Sequence, residues 1–98
     1  MTNGGVATVQ GFLQPNGYTQ ITVLTAAVGV GTIPDFTKMA MIQAESQNVR
    51  WRDDGTNPTA SVGMLLVAGD ILIYSGTLNT FKMIEVTPSA KINIAYYK

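Results

Sequence analysis

The sequence predicts an all-β chain, an antiparallel β-sandwich of jelly-roll-like shape, on three observations. Apolar and polar residues alternate with a period of two along several segments. Gly-, Pro- and Asp-based turn signals separate those segments at intervals of roughly 8 to 12 residues, the spacing of sandwiches and small barrels. Convincing stripes at the helical period of 3.6 are scarce. The 98 residues are read as one domain, 1–98, large enough for one modest core.

In the first third, Gly4-Gly5, Gly11 and Pro15-Asn16-Gly17 break the chain into short pieces around residues 6–10 and 19–25. Residues 1–36 are accordingly expected to form an arm or edge strand and a loop. Along 38–45, Ala40, Ile42 and Ala44 share one face; Lys38, Gln43 and Glu45 mark a chain running past solvent, while Met39 and Met41 leave the outer face partly apolar. A bulge or turn at Ser46-Gln47-Asn48 precedes Val49–Arg52, where Val49 and Trp51 point one way and Arg50 and Arg52 the other. Asp53-Asp54-Gly55-Thr56-Asn57-Pro58 is the strongest turn signal, because Asp-Gly tolerates the positive φ of a reversal and Pro58 fixes another angle.

Residues 64–67, a turn at Ala68-Gly69-Asp70 and the β-branched and aromatic Ile71–Tyr74 are expected to form a hairpin. Residues 75–79 punctuate again, 81–86 form a strand, Thr87-Pro88-Ser89 turns the chain, and Lys91–Tyr97 closes it with Ile92, Ile94 and Tyr96 on one face. The predicted core is Ile42, Val49, Trp51, Leu72, Ile84, Ile92, Ile94 and Tyr96. No repeat, charge run or linker divides the chain.

Composition narrows the function. The sequence has no cysteine and no histidine, which removes thiolate chemistry, cysteine-based metal sites and the commonest general base and metal ligand. Six basic and six acidic residues cancel, leaving no field to draw in nucleic acid or an anionic membrane. Charged residues make up 12% of the chain, against about 25% in an average domain. Its surface is therefore either covered by other subunits, in a homo-oligomer or larger shell, or made polar by Thr, Asn, Gln and Ser. The N-terminal residues lack a signal-peptide pattern, and the apolar-rich stretch 21–33 is broken by threonines and glycines and falls short of the roughly 18 residues a membrane span needs.

Candidate chemistry is sparse. Asp53 and Asp54, with Thr56 and Asn57, offer oxygen ligands for calcium, but without a distal bidentate acid in register; solvated or arginine-paired carboxylates are the expected state, and no metal or cofactor is assigned. No nucleophile elbow, Ser-x-x-Lys dyad or dinucleotide fingerprint occurs, so no catalytic residues are assigned and the chain reads as non-enzymatic. The Arg50-Trp51-Arg52 cluster has the makings of a stacking site for single strands, yet alternation sends Trp51 to the core and both arginines outward. Arg50, Arg52, Met39 and Met41 are the candidate protein-interface residues.

The segment from Val49 through Arg50-Trp51-Arg52-Asp53-Asp54-Gly55-Thr56 to Met64, with Ala68-Gly69-Asp70 and the terminal Ile92-Asn93-Ile94-Ala95-Tyr96-Tyr97-Lys98, resembles small virion proteins of tailed bacteriophages. The resemblance covers roughly the C-terminal half. It implies a β-sandwich structural protein that acts as an oligomer in the virion, decorating or cementing a capsid or sitting at a collar or tail, with the major capsid protein or other virion subunits as partners. The stretch 63–74 is also similar to the Gly…Gly-Asp turn of cupin jelly rolls, whose metal histidines this chain lacks. The competing expectation is a carbohydrate-binding sandwich module, with or without calcium.

Overall fold

The computed structural model describes residues 13–98, so the piece predicted at 6–10 lies outside the described residues. Eight strands follow in order: β1 Pro15–Ile21, β2 Val28–Gly29, β3 Met39–Glu45, β4 Val49–Arg52, β5 Met64–Leu66, β6 Ile71–Tyr74, β7 Lys82–Glu85 and β8 Lys91–Tyr97. The only helical element among the described residues is a single 3-10 turn, Leu78–Thr80. The strands form two antiparallel sheets, ordered β1-β8-β3-β6 and β2-β7-β4-β5.

The pairing is nested. β4 pairs with β5, β3 with β6, β2 with β7 and β1 with β8, so the chain is one long hairpin folded over on itself. β3·β8 and β4·β7 contacts then close each sheet. That connectivity is the jelly roll, and it confirms the expected fold class. It also brings the ends of the described chain together: the Gln14 and Lys98 backbones exchange two N–H to O=C hydrogen bonds of 2.9 Å.

Alternation in β3 and β8 positions the core. Ala40, Ile42 and Ala44 lie beside Tyr96, Ile94 and Ile92 on the inner face, all buried. Val49, Leu66 and Met83 face them from the second sheet, and Leu24, Val30, Leu78, Phe81 and Ala90 fill in from the connections. Each fully buried aliphatic or aromatic side chain here contributes about 1.5–3 kcal/mol relative to exposure.

Four expectations need correction. Ile84 is half-buried on the outer face beside Arg50, and Met83 takes the core position instead. The segments 64–67 and 71–74 do not form a hairpin: β5 pairs with β4 and β6 with β3, and the link between them carries the chain from one sheet to the other. That corner is pinned because Gly69 N–H donates to Ala44 O (2.7 Å), Asp70 N–H to Val67 O (2.9 Å) and Ala68 N–H to the Asn48 side-chain oxygen (2.9 Å). Pro15-Asn16-Gly17 is not a break but the bulged start of β1, which edges the first sheet. Beyond Ile21 the predicted strand ends, and the short β2 appears where none was expected.

Candidate functional site

Two surfaces gather the residues singled out by sequence, and they lie on different sheets. On the outer face of the first sheet the registers set side chains in rows: Tyr18, Ala95, Met41 and Ile73 form one, and Gln20, Asn93, Gln43 and Ile71 the next. Tyr97 beside Met39 extends the apolar end, and Lys91 beside Glu45 closes the charged end. The Asn93 side chain holds the polar row across three strands. Its oxygen accepts from Tyr18 Oη (2.6 Å) and Gln20 Nε2 (2.9 Å), and its amide donates to Glu45 Oε1 (2.8 Å) and Gln43 Oε1 (3.3 Å).

The apolar rows run out to an open side. Nine large apolar side chains are exposed among the described residues, and six of them, Val62, Met64, Leu65, Val67, Ile71 and Ile73, fall in or beside β5 and β6. Each of these two strands is one edge of its sheet, the short corner at 67–70 joins them, and neither carries a charge. Edge strands usually protect themselves with lysine, proline or bulges. The predicted interface residues Met39 and Met41 therefore belong to a larger apolar surface whose main contributors, Ile71, Ile73 and Tyr18, sequence reading missed. An all-apolar strand such as Ile71–Tyr74 shows no alternation, so it gives no hint of which residues face out.

Arg50 and Arg52 face outward from β4, as predicted, on the second sheet. Both are engaged within the chain. Arg50 Nε donates to Ala60 O (3.1 Å) and its Nη1 to Gly63 O (2.9 Å), tying down the long β4–β5 connection. Arg52 grips Asp54 with two hydrogen bonds, Nε to Oδ1 at 3.0 Å and Nη2 to Oδ2 at 2.6 Å, which raise the guanidinium pKa and hold the carboxyl below its usual value. Asp53 turns elsewhere: its Oδ2 accepts from Tyr74 Oη at 2.8 Å, and its backbone oxygen accepts from Thr80 Oγ1 at 2.9 Å. The two aspartates weighed as joint calcium ligands thus serve separate partners.

Trp51 points inward, as predicted, and is half-buried. Phe81 stacks on the indole with centroids 4.9 Å and planes 18° apart, and Tyr74 meets it edge-on at 6.1 Å. Gly76 makes room for that cluster, since a Cβ there would lie 2.5 Å from Tyr74 Oη. The indole also forms part of the wall of an open depression of about 400 Å³, lined with it by Arg52, Asp53, Asp54, Val62, Gly63 and Met64. Sequence reading found the polar half of this depression but not Val62, which sits in a passage of small residues, nor Met64, which opens a run of apolar residues with no alternation to show its face.

No family model, curated protein or solved structure matches the chain.

Proposed function

We propose that this chain is a non-enzymatic structural protein of a tailed-phage virion that binds and stabilises neighbouring subunits, of the capsid or of the collar and tail, through protein–protein contacts. The observation that carries the assembly reading is the open side of the sandwich, where the uncharged edge strand β6 exposes Ile71 and Ile73 beside Tyr18, Ala95 and Met41, and the uncharged edge strand β5 exposes Leu65. An apolar surface of this kind, rimmed by the polar Asn93 row, has the make-up of a subunit contact. A free edge strand adds a row of backbone donors and acceptors ready for another chain. The jelly roll is compatible with this role but does not select it, because capsid domains, lectins and cupins share the architecture. The virion assignment rests on the resemblance of the C-terminal half.

The test is a charge on the edge. Ile73 is exposed, so Ile73→Lys leaves melting nearly unchanged while placing a lysine in the middle of β6. The native protein is expected to sediment as an oligomer or to bind purified phage heads or tails, and the variant to lose that association. A native protein that stays monomeric at high concentration and binds neither heads nor tails overturns the proposal.

A further inference from the structure

We propose that the depression beside Trp51 is a binding site for a neutral saccharide. Its volume, about 400 Å³, falls within the range of roughly 300–1,000 Å³ typical of small-molecule sites, which are mostly apolar with a few placed polar groups. The wall supplies both kinds of contact. Trp51, Val62 and Met64 give the apolar surface that the C–H face of a pyranose ring covers. Asp53, Asp54 and Arg52 give acceptors and a donor for its hydroxyls.

Asp53 and Arg52 each keep a free atom after their internal bonds are made, while both oxygens of Asp54 already accept within the chain. Asp53 uses only Oδ2 on Tyr74, and Arg52 bonds through Nε and Nη2, with Nη1 left over. Two carboxylates against one guanidinium leave the site with a net charge of −1 (+1 − 2), which disfavours uronates and sulfated sugars and selects neutral ones.

The site is also built in advance. Arg50 clamps the backbone at Ala60 and Gly63, opposite Trp51. Gly63 holds φ at +144°, where a Cβ would come within 3.1 Å of Trp51 O, so this tight approach of the two walls requires glycine. Tyr74 and Thr80 fix Asp53, and Phe81 fixes the indole. Such preorganisation lowers the ordering cost of binding.

Trp51 is the sole tryptophan of the chain, so its fluorescence reports the site alone. Native protein is titrated with neutral oligosaccharides of glucose, mannose, galactose and N-acetylglucosamine, with an oligouronate and with an apolar peptide. Saturable quenching or a spectral shift is expected with at least one neutral series and not with the oligouronate. Asp53→Asn keeps an acceptor for Tyr74 yet removes the charged acceptor, and Arg52→Lys keeps the charge but not the fork; each is expected to weaken binding at least tenfold with melting little changed. Ile73→Lys, on the other sheet, is expected to bind as the native protein does, which separates this site from the assembly surface. No response to any neutral sugar, a response to the peptide alone, or full binding by both site variants overturns the proposal.

Discussion

Two tyrosines flank Ala40 on the first sheet with opposite fortunes. Tyr96 is buried in the core with its hydroxyl unpartnered, the only such side-chain atom among the described residues, and burial pushes its pKa up. An unpaired buried hydroxyl costs stability. Tyr96→Phe is therefore expected to raise stability by about 1 kcal/mol in urea unfolding; a loss of that size would mean that the hydroxyl has a partner. Tyr74, desolvated and bonded to Asp53, has its pKa pushed up to about 12. The folded state thus favours the neutral phenol. The stabilisation is complete below about pH 10, the ordinary tyrosine value, and is lost as pH rises through about 12. Melting temperature is expected to fall across that window, and Tyr74→Phe to flatten part of the fall. At this scale alternation read Ile42, Val49, Trp51, Ile92 and Ile94 correctly because a polar partner marked the other face. It failed at Ile84, since 81–86 offers Phe81, Met83 and Glu85 on one side and Lys82, Ile84 and Val86 on the other. Each side holds two apolar residues and one charge, and only the packing of Phe81 against Trp51 breaks the tie.

The long connection from β4 to β5 depends on one arginine more than on the other. Arg50 makes two hydrogen bonds to carbonyls that no other side chain reaches among the described residues, whereas the Arg52–Asp54 pair is solvated and its attraction screened by water. Arg50→Met is accordingly expected to destabilise the fold by about 1–2 kcal/mol and to speed proteolysis within 53–63. Arg52→Met is expected to leave both nearly unchanged; equal effects would show that the two arginines are interchangeable solvated groups. Strand positions were largely legible in the sequence, but pairing was not. The Gly69-Asp70 turn reads the same whether the flanking strands pair or part, and what parts them is distant: the Asn48 side chain and the Ala44 carbonyl hold the corner from the β3–β4 side. The Trp51 depression was hidden for the same reason, because Trp51 and Met64 become neighbours only through the β4·β5 register.

At the scale of the whole molecule, the sandwich was legible because its turns are chemically marked, while the surface that matters for association was legible only in outline. Low charge and the outward Met39 and Met41 pointed to apolar surface. Its centre at β5 and β6 emerged only when two segments, distinct in sequence, became the edges of two sheets on one side.

The meeting of Gln14 and Lys98 makes the described residues nearly a closed circle. Suppose the circle is sealed by a short engineered linker from Lys98 to Gln14 and reopened at Gly55, an exposed turn with no neighbouring atoms to disturb. The strand order becomes β5, β6, β7, β8, β1, β2, β3, β4. Counted afresh from the new start, every pair of the original nest falls again on a pair of the same nest: β8·β1 becomes the central hairpin, β5·β4 becomes the outermost pair, and the two sheets exchange places in the count. The circular permutant thus has the topology of its parent while making local the contact that the parent must close across nearly its whole length. Loop closure across a shorter stretch costs less entropy. It is expected to melt cooperatively with the parent's circular dichroism, and a permutant that cannot fold would show that the β4–β5 turn must remain continuous for the remaining strands to find their partners.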